Sequence, residues 1–87
     1  MPLYFFHLRN AEDRVIDDEG RRIDDVSMVP ELAQREARGI ISADALTGHI
    51  DLDQRIEVED ENGLILLTLP LAHAVQINAP GDSPRQA

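Results

Sequence analysis

The carboxylates are the first residues to test for chemistry. They gather as Asp17-Asp18-Glu19, Asp24-Asp25, Asp51 with Asp53, and Glu57-Glu59-Asp60-Glu61, a supply of hard oxygen ligands for a cation. A calcium loop of the EF-hand type needs oxygen ligands at its first, third and fifth positions, Gly at the sixth and Glu at the twelfth. With Gly63 at the sixth position, the ligands are Val58, Asp60 and Asn62, and Leu69 stands where Glu belongs. With Gly20 there, they are Val15, Asp17 and Glu19, with Val26 last. Both alignments fail at the first and last ligand, so the clusters read as solvated turns, with weak divalent-cation binding as the functional alternative. No metal-binding residue is assigned.

His7, His49 and His73 lie on three different segments with no paired helical spacing, so nothing in the chain specifies that they converge on a metal. His7 reads instead as a strand residue at the core boundary, and His49 as a helix-end residue favoured by the dipole. No hydroxyl sits in a Gly-x-Ser-x-Gly elbow. No phosphate-binding glycine loop is present, and there is no Lys to complete one. Cysteine is absent, which excludes disulfides, a thiolate nucleophile and cysteine-based metal sites. The expectation is a protein that is not an enzyme, with no catalytic residues and no cofactor.

At 87 residues the chain is one small domain, and with 43% hydrophobic residues it has enough apolar side chains to fold. Its core must hold by packing, and a core this small often gains from self-association. Seventeen Asp and Glu oppose eight basic residues, all Arg, for a formal net charge of −9. That balance argues against nucleic acid or an anionic membrane as partner, because phosphates require a basic patch. The opening MPLYFFHLRN is not a secretory signal, being short and interrupted by His7 and Arg9. Leu64 to Ala72, broken by Thr68 and Pro70, falls far short of the roughly 20 residues of a membrane helix. By default the protein is expected in the cytoplasm.

The positions of the elements follow from periodicity. Leu3 to Arg9, holding the rings Tyr4, Phe5 and Phe6, predicts a strand, and the Asn10–Asp13 turn leads to a second over Arg14–Asp17. Val26, Val29, Ala33, Ala37, Ile40, Ile41 and Ala45 follow a helical period, with Asp25 or Ser27 as cap and Gly48 as stop. Gly39 in mid-helix suggests close approach to the sheet. Arg55 to Asp60 alternates as a half-exposed strand, and Asp60-Glu61-Asn62-Gly63 turns into a strand over Leu64 to Leu69. The LAHAVQI segment then predicts a short terminal helix or extended stretch.

The fold class is therefore α+β: ββαββ, a four-stranded mostly antiparallel sheet with one long helix on a face and a short C-terminal helix. The domain spans residues 1–77, and 78–87 form a flexible tail. One ring set packs under the helix. The other, on a face with Ile65, Leu67 and Leu69, needs cover from the C-terminal segment or a second subunit, since a bare apolar face is a large exposed patch. A homodimer is expected. The candidate interaction surface comprises Phe5, His7, Ile65, Leu67, Glu57 and Glu59.

The start PLYFFHLRN, the turn VIDDEG, Glu36-Ala37 in the helix and the run IEVEDENGLILLTLPLAHAV resemble a family of short uncharacterised proteins from rhizobia and related alphaproteobacteria, grouped as a domain of unknown function. The resemblance covers residues 1 to about 77 and implies a fold and a bacterial setting, with no catalytic motif. Pro30 with Glu31 departs from it, standing where ordinary helix formers are usual. The ββαββ order with Gly20 and an Ala-rich helix also resembles the partner-binding domain of HicB-type antitoxins, an analogy of architecture.

Three functions follow as expectations. The first is a non-enzymatic protein-interaction module with an unknown protein partner. The second is an acidic antagonist of a basic nuclease or regulator, antitoxin-like or mimicking nucleic acid. The third is a weak cation or small-ligand binder. Deleting residues 80–87 is expected to leave the thermal midpoint unchanged; a clear drop in a melting experiment would mean that the tail is docked.

Overall fold

The computed structural model of the chain describes residues 2–81. Strand β1 (Leu3–Arg9) runs through the middle of the sheet, with β4 (Arg55–Asp60) on one side and two short strands, β2 (Arg14–Val15) and β3 (Arg21–Arg22), on the other. Strand β5 (Ile65–Pro70) completes the order β2-β1-β4-β5 as the far edge. Every pairing is antiparallel. Strands β3 and β4 both oppose β1, so they run parallel to each other and require the crossover that helix α1 (Val29–Thr47) supplies. The α+β architecture is the one the periodicity predicts.

The second strand is shorter than expected and has a continuation. Leu8 faces Val15 and Tyr4 faces Arg21, so a four-residue step on β1 meets a six-residue step on its neighbour. The excess is taken up by residues 16–20, which bulge away from the sheet. Gly20 stands at φ +76, and a Cβ there would lie 2.8 Å from the Phe5 ring. Only glycine meets both conditions.

Asp25 caps the entry to the helix, accepting the Ser27 backbone N–H at 3.0 Å and its hydroxyl at 2.7 Å. Those bonds, the hydroxyl's first, hold its carboxyl below the ordinary 3.8. A single 3-10 turn (Val26–Met28) precedes α1, and Pro30 falls in the first helical turn, where its missing N–H has no intrahelical partner to lose. Gly48, at φ 85, closes the helix.

The apolar stripe of α1 presses Val29, Ala33 and Ala37 onto Tyr4 and Phe6 of β1 and Ile56 and Val58 of β4. Two fully buried alanines let the helix backbone approach the sheet closely. Leu67 and Leu69 oppose Val58 and Ile56, so they share this face and pack against the same core. The expectation that Ile65 lies with them is overturned. A one-residue irregularity at Val58/Glu59 places Ile65 opposite Glu59, on the other face of the sheet.

A 3-10 turn (Leu71–His73) is all that forms of the C-terminal helix. Leu71 and Ala74 are buried in the core below α1, and Arg38 donates to the Ala74 carbonyl at 2.8 Å. The segment therefore extends the helix-covered core. Of the anticipated tail, residues 82–87 lie outside the described residues, and 78–81 carry neither helix nor strand.

Gly39 does not approach the sheet. It is exposed, and a Cβ built there meets nothing within 4 Å. Gly39→Ala is expected to stabilise the fold by about 1 kcal/mol in chemical denaturation, because the helix regains propensity with no clash. A loss would place an unseen contact at that position.

Candidate functional site

The face of the sheet away from α1 carries Phe5, His7 and Arg9 of β1 beside Arg55, Glu57 and Glu59 of β4, with Ile65 and Thr68 of β5 beyond them. These side chains form a ladder. Phe5 and His7 stack with ring centroids 6.3 Å apart and planes 6° from parallel. His7 Nε2 lies 2.8 Å from Glu59 Oε1, and Glu57 receives Arg9 Nη1 at 3.1 Å with Arg55 Nε at 3.7 Å. Glu57 is buried, and the two guanidinium groups compensate its charge.

The His7 ring is only 4% exposed although it stands on the uncovered face. Its Nδ1 accepts the Asp17 backbone N–H at 3.1 Å, which puts the ring proton on Nε2, pointing at Glu59. Both ring nitrogens are therefore committed, and His7 has no lone pair left for a metal or a substrate. His49 and His73 are exposed on separate elements. Among the described residues, no group of three or more His, Asp or Glu side chains is placed to hold a metal ion.

Asp17 is the residue that sequence reasoning missed. In the gap between β2 and β3, the Phe6 N–H points outward from β1 with no strand to receive it. Asp17 Oδ2 accepts it at 3.0 Å, while Oδ1 takes the N–H groups of Glu19 and Gly20 at 3.3 and 3.1 Å. Partial burial alone would raise the Asp17 pKa. The three backbone bonds, with His7 nearby, outweigh it and hold the carboxyl below its ordinary 3.8. The only signal in the chain was the Asp-x-x-Gly spacing of an Asx turn.

Of the six candidate surface residues, the structure brings together Phe5, His7, Glu57, Glu59 and Ile65. Leu67 lies on the opposite face, against the core. Glu57 and Glu59 do not stand free on this surface, because they are engaged by Arg9, Arg55 and His7. This face is a compensated polar lattice where an apolar one was expected.

Exposed apolar side chains are found at Val15, Ile16, Leu46 and Ile77, and they also gather along β5. Ile65 and Leu66 are 41% and 40% exposed, Leu64 is exposed beside them, and Val26 across the helix-side cleft is 55% exposed. Val26, Val29, Pro30, Leu66 and Leu67 line a hollow of about 270 Å³. A second cleft, about 480 Å³, lies under the residue 16–20 loop, floored by Phe6, Leu8 and Ile56 and closed by the Arg21–Glu36 ion pair.

Residues 3–72 match the family described as Domain of unknown function (DUF6894). The chain belongs to this family. No curated protein and no solved structure matches it. The DUF6894 match runs from the first residue of β1 into the 3-10 turn after β5, so it takes in the whole sheet, the helix and the bulged edge.

Asp17→Ala leaves the Phe6 N–H without its acceptor and is expected to cost about 1–3 kcal/mol near neutrality. Because the folded pKa is depressed, the stabilisation is full above 3.8 and is lost as pH falls through the lower folded value. Melts of wild type and Asp17→Ala should therefore converge as the solution is acidified below that point. A gap that stays constant would assign the loss to packing alone.

Proposed function

We propose that this DUF6894 protein is a small non-enzymatic protein-interaction module whose contact surface is the β5 edge with the apolar side chains around it. The observation that carries the reading is the chemistry of that edge. Ile65–Pro70 is the one described strand without a charged residue, it is a sheet edge, and Leu64, Ile65 and Leu66 are exposed along it. Exposed apolar edges invite another chain, and soluble proteins normally charge, bulge or cover them. The polar lattice on the open face frames this strip without competing for the same partner.

The formal net charge of −9 favours a second reading, an acidic antagonist that occupies a basic cleft in a nuclease or regulator. Asp18, Glu19, Asp24 and Asp25 are all exposed and would supply its contacts. Both readings take rhizobia or related alphaproteobacteria as the setting, supported by the motif resemblance, and the cytoplasm as the default location. No helix of the described residues is long and apolar enough to cross a membrane.

Affinity capture from such a lysate, with tagged wild type and Leu66→Lys at low and high salt, separates the two. The interaction module predicts a discrete partner kept at both salts by wild type and lost by Leu66→Lys. The antagonist predicts a basic partner that Leu66→Lys retains and that high salt releases. Capture of nothing beyond background by wild type at either salt would sink both.

A further inference from the structure

The two edges of the sheet are finished differently. On the β2/β3 side, the strand is broken by the residue 16–20 loop, Arg14, Arg21 and Arg22 lie along it, and the Asp17 carboxylate fills the gap. Lateral pairing with another chain is blocked there. On the β5 side, the direction of the outward backbone groups follows from the hydrogen bonds facing inward. Leu71 N–H donates to Gln54 and Asp60 N–H donates to Leu64, so residues 64, 67, 69 and 71 turn toward β4. The extra residue at Leu66 shifts the alternation, leaving the backbone N–H and C=O of Ile65 and Thr68 pointing away from the sheet. Pro70 has the next outward position, where it has no N–H to offer and ends the ladder.

On the interaction reading above, we infer that the occupant of this edge is a second copy of the same chain, joined through antiparallel β5–β5 pairing. Ile65 pairs with the partner's Thr68 and Thr68 with the partner's Ile65, related by a two-fold axis between Leu66 and Leu67. An antiparallel pair about a two-fold axis is self-complementary by symmetry. The outward groups here have the same spacing in both directions, because each strand carries the same extra residue between Ile65 and Thr68. Leu66 and Leu67 are on the helix side, so the pairing brings these leucines of both copies together and closes the hollow beneath Val26 and Pro30. Charge selects the same strand. A chain of net charge −9 repels its own copy over most surfaces, and β5 is the described strand on which two copies meet without opposing charges. The product is one continuous sheet across two subunits, with α1 of each on the same face.

Sedimentation equilibrium of the full chain across a dilution series tests this. Wild type is expected to approach twice the 9.7 kDa of one chain. Ile65→Lys, at an exposed position that leaves the core untouched, should raise the dissociation midpoint by about tenfold or more. Thr68→Pro, which removes only an outward N–H, should do the same. Val15→Lys, on the opposite edge, should leave association unchanged, and circular dichroism would verify that each variant is folded. A single-chain mass at every concentration overturns the self-pairing, as does a dimer that Ile65→Lys leaves intact or one that Val15→Lys dissociates. If the mass is that of one chain while capture of another protein still depends on Leu66, self-pairing fails and the interaction module stands. A single-chain mass with capture indifferent to Leu66 removes both.

Discussion

The antiparallel register of β1 on β4 is the constraint on which everything else rests. Phe6 opposite Val58 and Leu8 opposite Ile56 turn one face toward α1, and the same pairing places His7 opposite Glu57 and Phe5 opposite Glu59 on the other. Side chains alternate with a period of two, so a slip of one residue would send the rings to the open face and the ionic residues into the core. The cost of burying His7 and Glu57 anywhere but against Glu59, Arg9 and Arg55 opposes that slip. The hydrophobic core and the polar lattice thus specify the same register from opposite sides.

Two irregularities then decide what that sheet presents. The residue 16–20 bulge interrupts the strand beside β1 and leaves the Phe6 N–H facing a gap, which the Asp17 carboxylate fills. One residue therefore joins the edge of the sheet and the turn at Gly20 through its carboxylate and, through its backbone N–H, the His7 ring. The extra residue near Leu66 has the opposite consequence. It keeps Leu66 and Leu67 together on the helix side and swings Ile65 to the open face of a strand whose sequence carries no charge. The two edges are thus finished differently: one is interrupted by the residue 16–20 loop, and the other presents Leu64, Ile65 and Leu66 to the outside.

The open face shows how a wealth of carboxylates translates into less available charge than composition suggests. Glu57 is buried between two arginines, Glu59 meets His7, and Glu36 meets Arg21. Asp17, Asp25 and Asp60 accept backbone N–H groups in their own turns, where anionic acceptors bind most strongly. Much of the acidic content shapes turns and strand pairing, and the surplus that remains in exposed loops gives the molecule its negative field.

Read in order, the residues determined the elements because local periods and punctuation suffice for them. The alternation in Arg55–Asp60, the three-and-four spacing from Val26 to Ala45, the Asp25 cap, the Gly48 stop and the Asn62-Gly63 turn each record a local backbone preference. The helix stripe also named its share of the core in Ala33 and Ala37, while the choice between Tyr4 with Phe6 and Phe5 as the rings beneath it was left to the tertiary structure, which buries Tyr4 and Phe6. Only the tertiary structure decided which face Ile65 and Leu67 occupy, because a single inserted residue reverses the alternation and is visible only against the paired strand. It alone revealed Asp17 as the acceptor for a residue eleven positions earlier. It alone paired Glu57 with Arg9 across 48 residues of sequence. The first contact depends on a backbone N–H left open by the break between β2 and β3, and the second on the register of β1 against β4, neither of which is set by the residues nearby in sequence.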